Sequence, residues 1–584
     1  MSAAQGQDRS ADAGCVNLRW SAALLDGLFR GGLRTLVLSP GSRSTPVVLA
    51  AQRQAGIDIV PILDERSAAF FALGTAGASG RPVALLATSG SAPAHWYPAV
   101  IEASESGLPL ILLSADRPPQ LRLWGANQTV DQTRLFGAFV RESHDPGHPL
   151  DDPKALKALR ALGLRAATLG LGPRPGPVHI NLPFAEPLVP AGDCEPEPPV
   201  WPALPVAAEV TSYQALDSLP AGRGLIVCGP GAFADDFAPT LRRCSEHHGL
   251  PVLADPLSGL RFGPESAQVM TGYDALLRNA AAAKALRPDW VLRFGRAPVS
   301  KRLGEWLAGV PAILVDPGGG WCDPSHDVRQ RLSASPTSVC EALLGLDNRS
   351  AGDDWLARWQ GAERRVQALA DAHLAGSPWC EGHLLRALMA RLPAGESLLC
   401  ANSLPIRQLD SWSGSRAAPL GLFCNRGVSG IDGQLSTLAG LSHGGRPTWA
   451  LLGDLSFCHD LSGLLQASRL DRPVLVLNNG GGRIFDYLPQ HGLPGFEALW
   501  RTPVAPNLAA LAAPFGLAHR SISDATGLEQ ALDDALGRGR GAELIEVRID
   551  ADQSRAVHEG FWQRVANAPI IEGGSAGGRR TPDK

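Results

Sequence analysis

Two polar clusters late in the chain have the residue types and spacing for cation and phosphate chemistry. In LLGDLSFCHD an apolar run stops at Gly453-Asp454, and the next apolar run, VLVLNNGGGRIF, stops at Asn478-Asn479 ahead of three glycines. Asp454 and Asn479 offer the hard oxygen atoms that Mg2+ takes as ligands, and the glycines let a phosphorylated ligand come close to the backbone. Taken singly, GD and NN are ordinary strand-end turn residues. Their joint position at the carboxyl ends of consecutive strands, where open α/β sheets place ligands, marks a seat for a diphosphate and its magnesium ion.

Those strands belong to a wider pattern. Short apolar runs bounded by Gly, Pro, Ser or Asp, separated by helix-length amphipathic stretches, predict mainly parallel sheets with crossover helices. A first series comprises 35–38, 57–63, 83–87, 109–113 and 178–182; a second, 225–228, 252–254, 290–294 and 312–315; a third, 398–401, 449–452, 474–477 and 544–549. The Pro- and acid-rich run 188–205 reads as a linker. The chain has 584 residues, and domains hold about 100–200 each. The expectation is three doubly wound α/β domains over 1–190, 206–348 and 355–569, with a disordered tail at 570–584.

A GD pair followed at this distance by NN resembles the signature of thiamine-diphosphate enzymes. Three further strand-end segments, SPGSRSTP at Ser39 to Pro46, ATSGSAPAHWYPAVIEA at Ala87 to Ala103 and SADRPPQLRLWGANQ at Ser114 to Gln128, narrow the likeness. Together with DERS, VSKRL, NSLPIR, NRGVSGIDG and GRIFDYLP they resemble the MenD family, the 2-succinyl-5-enolpyruvyl-6-hydroxy-3-cyclohexene-1-carboxylate synthases, over nearly the whole chain. The resemblance implies pyrimidine-binding, central and diphosphate-binding domains in that order. It also implies decarboxylation of 2-oxoglutarate and addition of the resulting succinyl-semialdehyde carbanion equivalent to isochorismate, a step of menaquinone biosynthesis.

Site roles follow from the same likeness. Asp454, Asn479 and the carbonyl of Gly481 take the metal, Mg2+ or Mn2+, with Leu455 and Ser456 beside the cofactor. Glu65, at the head of a helix after an apolar strand, is the acid that hydrogen-bonds the aminopyrimidine; alone it reads as an acidic first-turn residue favoured by the helix dipole. Ile431 is the apolar wedge under the cofactor, and Ile484 and Phe485 wall the pocket; as isolated hydrophobes they read as core. Arg43 with Ser42, Arg117, Asn127 and Gln128 should line the reacting carbon, Arg43 and Gln128 as catalytic groups. Lys301, Arg302, Ser403, Arg407 and Arg426 should hold isochorismate. Both substrates are dianions, and guanidinium forks suit paired carboxylates. His95 departs from the family pattern, where Asn is expected. The family also implies a homodimer or a dimer of dimers with each cofactor lying across two chains.

Composition closes off other classes. Hydrophobic residues are 45% and charged residues 19%, with formal net charge -4, so the chain can build cores but offers no basic field for nucleic acid or anionic membrane. No apolar run reaches the ~18–20 residues needed to span a bilayer, and the polar N-terminus lacks a signal-peptide core. Ten cysteines without a C-x-x-C pair spell out neither a zinc cage nor a disulfide framework, which points to a reducing cytoplasm. One rival survives: 225–234, a strand followed by G-x-G-x-x-A with Asp255 at the end of the next strand, imitates a dinucleotide fingerprint, although Pro230 sits inside the turn. Another thiamine enzyme, such as an oxo-acid decarboxylase, would need fewer cationic carboxylate holders.

Overall fold

Strands buried on both faces are the cue for parallel sheets covered by helices. Among the described residues, 12–194, 219–347 and 354–571 of a computed structural model, such strands form three six-stranded sheets in which every pairing is parallel. The first holds β1 (Thr35–Leu38), β2 (Asp58–Pro61), β3 (Val83–Ala87), β4 (Leu110–Asp116), β5 (Ser143–His144) and β6 (Val178–Pro183) in the order β2-β1-β3-β4-β6-β5. The second holds β7 (Gly224–Cys228), β8 (Val252–Ala254), β9 (Val269–Met270), β10 (Trp290–Phe294), β11 (Ala312–Val315) and β12 (Val328–Leu332) as β12-β11-β10-β7-β8-β9. The third holds β13 (Ser397–Cys400), β14 (Gly421–Phe423), β15 (Thr448–Gly453), β16 (Val474–Asn478), β17 (Ala518–Ile522) and β18 (Glu543–Arg548) as β14-β13-β15-β16-β18-β17. The first and third sheets share one plan, reversing direction between their first and third strands.

That shared plan continues into the packing between them. The helix Glu65–Ser79, which follows β2, lies against the helix Gln434–His443, which follows β14. A Cβ on Gly74 would meet the carbonyl of Thr437 and the amide of Leu441; a Cβ on Gly440 would meet the carbonyl of Phe71 and the amide of Thr75. Each glycine therefore touches the residues three before and one after its counterpart, an internal two-fold contact that only residues without side chains permit. The Thr75 hydroxyl seals it by donating to Gly440 O at 3.1 Å.

The middle sheet has the strand order of dinucleotide-binding folds, and the loops after β7 and β10 line an open cleft, but the fingerprint residues themselves are committed to internal contacts. A Cβ on Gly229 would lie 1.7 Å from Arg296 O, so this glycine serves loop-to-loop packing rather than the approach of a pyrophosphate. Asp255, the presumed ribose acid, is buried and accepts the amides of Leu257 and Val299 at 2.8 and 2.7 Å. The oxidoreductase reading loses its ribose acid, Asp255, and the free approach at its first glycine.

Three details differ from the sequence reading. Ile570, placed in the tail, is 1% exposed in the main core cluster, so ordered packing runs past 569; 572–584 lie outside the described residues. Of the expected linker, Leu188 and Cys194 are buried against the first unit, while 195–205 also lie outside them. Cys15 and Cys194 are joined as a disulfide, Cα to Cα 5.7 Å, a pairing no local spacing could announce because 179 residues separate them. No helix among the described residues is long and apolar enough to cross a membrane.

Candidate active site

The motif segments collect at the two places where strand order reverses. In the first sheet, 39–43 leaves β1 and Thr88-Ser89-Gly90 leaves β3, while Asp64-Glu65 follows β2 and Arg117 follows β4. In the third, Asn402-Ser403 follows β13, Asn425-Arg426 follows β14, Asp454 follows β15 and Asn479 follows β16. Crevices outside such carboxyl ends are where α/β sheets bind ligands.

Asp454 is 2% exposed and begins a short helix. Its carboxylate accepts the amides of Leu455, Gly480 and Gly481 at 2.7, 2.9 and 2.8 Å, so the GD and NN clusters are tied together. Burial holds its carboxyl above the usual range in spite of these amides, and no cationic side chain among the described residues pairs with it. A buried carboxylate without a counter-ion is a place for a cation. The Asn479 side chain makes no hydrogen bond among the described residues, and with Asn478 and Gly480 it lines a cleft beside Arg548 and Asp550. The Gly481 carbonyl accepts the Arg483 amide at 2.8 Å, which leaves one lone pair for a metal. Gly481 has φ 116°, and a Cβ there would meet Arg501 O at 2.6 Å, so glycine is required. Leu455, Ile484 and Phe485 are half-buried and Ser456 buried around this seat. One carboxylate with amide and carbonyl oxygens fits a magnesium ion that keeps coordination sites for phosphate.

Glu65 opens its helix directly after Asp64, whose side chain caps the amides of Arg66 and Ser67. Glu65 is half-buried and makes no hydrogen bond or ion pair among the described residues. Its neighbours Arg66 and Ser67 reach His459 O and the Ser462 hydroxyl of the third domain. Leu63 beside it is 72% exposed, and Trp124 in the ADRPP segment is 83% exposed.

Arginines occur here in two pairs. Arg43, 7% exposed, donates to Phe184 O and Glu186 at 3.0 Å each, while its buried Nε has no partner. Arg117 donates to the Ser89 hydroxyl; burial, then the charge of Arg43, lowers its guanidinium pKa. Gln128, exposed and at φ 54°, donates to Ser89 O at 2.9 Å, and Asn127 beside it is exposed. Ser42 is exposed at the start of a tight turn. In the third domain Arg407 donates to Ser403 O at 2.6 Å, and desolvation, then the charge of Arg426, lowers it. Ser403 has φ 73° and ψ -127°, strain that marks a functional turn. The first pair has Glu186 as a carboxylate partner of Arg43, whereas Arg407 and Arg426 make no ion pair among the described residues, an arrangement that suits an anionic ligand. Lys301 and Arg302 are both exposed on the first turn of the helix Lys301–Leu307, with Lys301 bonded to Glu305. Ile431 is half-buried, and His95 is exposed on a short turn.

Sequence reasoning missed Asn402. Buried next to Ser403, it donates to Asn425 O at 2.6 Å and Gly430 O at 2.8 Å and accepts from Arg426 at 3.3 Å, so it holds the whole NRGVSG loop. The signal was a second polar residue at a strand end.

The chain matches two family models, "Thiamine pyrophosphate enzyme, N-terminal TPP binding domain" over residues 18–135 and "Middle domain of thiamine pyrophosphate" over 200–400. It is 40% identical over 570 residues to the 2-succinyl-5-enolpyruvyl-6-hydroxy-3-cyclohexene-1-carboxylate synthase of Geobacillus kaustophilus (strain HTA426), covering 94% of this chain and 97% of that protein. The chain belongs to this synthase family. The synthase of Dechloromonas aromatica (strain RCB) is 41% identical over 551 residues, covering 92% of this chain and 99% of its own length. A solved benzoylformate decarboxylase from Polynucleobacter necessarius shares the fold, with TM-score 0.65 at 16% identity over 91% of this chain and 98% of that one. As a synthase of this family the protein is a thiamine-diphosphate enzyme and a transferase of menaquinone biosynthesis.

Proposed function

We propose that the protein decarboxylates 2-oxoglutarate and joins the resulting four-carbon unit to isochorismate, giving 2-succinyl-5-enolpyruvyl-6-hydroxy-3-cyclohexene-1-carboxylate. The observation that carries this reading is the two arginine pairs, Arg43 with Arg117 and Arg407 with Arg426, one at each motif crevice, in a chain whose relatives bear that product's name. Two dianionic substrates need two cationic holders.

Thiamine diphosphate, when bound, supplies the electron sink for decarboxylation and bond formation. Asp454, Asn479 and the Gly481 carbonyl would hold Mg2+, or Mn2+, with Leu455 and Ser456 beside the phosphates. Glu65 would hold a proton at its carboxyl against the pyrimidine ring, and Ile431, Ile484 and Phe485 would wall the cofactor. Arg43, Arg117, Ser42, Asn127 and Gln128 would orient the 2-oxo acid. Ser403, Arg407 and Arg426 would hold isochorismate, with Lys301 and Arg302 at the approach. Glu65, with no hydrogen bond or ion pair among the described residues and with Leu63 and Trp124 exposed, supports a homodimer or dimer of dimers whose second copy completes the site. The three series of strands support the domain division stated above. The working compartment is the cytoplasm.

The test is turnover. Protein with thiamine diphosphate and Mg2+ should release carbon dioxide from 2-oxoglutarate, consume isochorismate and yield the joined product by mass spectrometry, sedimenting as a dimer or larger. Rates unchanged after both cofactors are stripped would defeat the proposal. Arg407→Ala and Arg426→Ala should each raise the KM for isochorismate by about tenfold or more, the loss of a charged hydrogen bond, with 2-oxoglutarate decarboxylation largely kept. Equal losses in the two half-reactions would put these arginines elsewhere.

A further inference from the structure

Glu102 has no role in the reaction as described, yet its carboxylate is spent on the loop that carries Arg426. It sits in the helix Tyr97–Ser106 of the first domain and is 2% exposed. Its two oxygens accept the amides of Gly427 and Val428, in the third domain, at 2.7 and 2.8 Å, and one also accepts the Ser106 hydroxyl at 2.5 Å. Glu102 makes no ion pair among the described residues. A buried carboxylate held by two amides and a hydroxyl is a strong, directional anchor.

The loop is shaped for this anchor. A Cβ on Gly427 would fall 2.7 Å from Glu102 O and 2.9 Å from its carboxylate, so the backbone meets the helix only because this residue is glycine. Ser429 takes a left-handed φ of 63°, a conformation that surrounding contacts must enforce. From the other side Asn402 grips the carbonyls of Asn425 and Gly430 and accepts from Arg426. The middle domain joins at the same point, because Arg296 donates to Glu105 O at 2.9 Å and to the Ser106 hydroxyl at 3.4 Å.

We propose that Glu102 is a positioning residue for the acceptor: its carboxylate clamps the 425–430 backbone against Asn402 so that the Arg426 guanidinium meets the acceptor's carboxylate. The inference rests on the functional reading above. It assigns Glu102 to the second half of the reaction and leaves the decarboxylation of the 2-oxo acid to other groups.

Glu102→Gln keeps the size but turns one acceptor into an NH2 group facing an amide. In the cofactor-loaded enzyme we expect kcat/KM for isochorismate to fall at least about tenfold, carried mostly by KM, the size of one lost charged hydrogen bond. Carbon dioxide release from 2-oxoglutarate, followed with an artificial electron acceptor, should stay within about twofold. Gly427→Ala, which pushes the loop off the helix from the opposite side, should give the same split. Hydrogen exchange at the 425–430 amides should quicken in both variants, with no substrate present. Donor and acceptor steps falling together, or an unchanged acceptor step beside faster exchange, would overturn the assignment. A wild-type enzyme that ignores isochorismate would instead sink the functional reading, and unchanged exchange in Glu102→Gln would then dispose of the clamp independently.

Discussion

Glu65→Gln should lower kcat by about 10²–10⁴-fold, the range for loss of a positioned proton-transfer group, while cofactor affinity and folding stability stay close to wild type. The structure separates these effects. The helix start is secured by Asp64, whose carboxylate takes the amides of Arg66 and Ser67, so the helix does not depend on the residue at 65. Glu65 makes no hydrogen bond or ion pair among the described residues, and removing its charge leaves no buried partner orphaned; stability should move by less than about 0.5 kcal/mol. Steady-state kinetics, calorimetric titration of thiamine diphosphate and thermal unfolding read the three quantities apart. Near-normal kcat would remove Glu65 from the chemistry.

Asp454→Asn should weaken Mg2+ binding in the presence of thiamine diphosphate by about 10²-fold or more, since losing even an outer partner of a metal costs 10–100-fold. The asparagine still offers one oxygen to the amides of Leu455, Gly480 or Gly481, so the fold should survive. What disappears is the one buried negative charge of the seat. Wild-type protein should gain thermal stability on adding Mg2+ and thiamine diphosphate, because a ligand that binds only the folded state stabilises it by mass action. The variant should show little or no gain. An undiminished shift would place the cation elsewhere.

The sequence was most informative where burial is two-sided. Interior strands such as β3, β4, β7 and β16 read as unbroken apolar runs and appear within a few residues of where those runs lie. The strands it did not disclose, β5, β9, β12, β14 and β17, all lie on or form the edge of a sheet. An edge strand has one open flank and no need for apolar side chains on both faces, so VRQRL and AHRSI carry no hydrophobic signal. The site divides in the same way. Asp454, Asn479 and the arginines stand at strand ends, where type and place together suggest a role. Glu102 looks like one more charge on a helix, because the amides it anchors lie 325 and 326 residues away.

The glycine crossing of the helices Glu65–Ser79 and Gln434–His443 reaches further than packing. Counting back from Gly74 and from Gly440 by the same nine positions lands on Glu65 in one half and Ile431 in the other. Matched counts along the two helices' approach thus meet an acid in the first domain and a hydrocarbon in the third. The helix crossing repeats but the chemistry available beside it does not, since Glu65 starts its helix while Ile431 lies three residues ahead of the other.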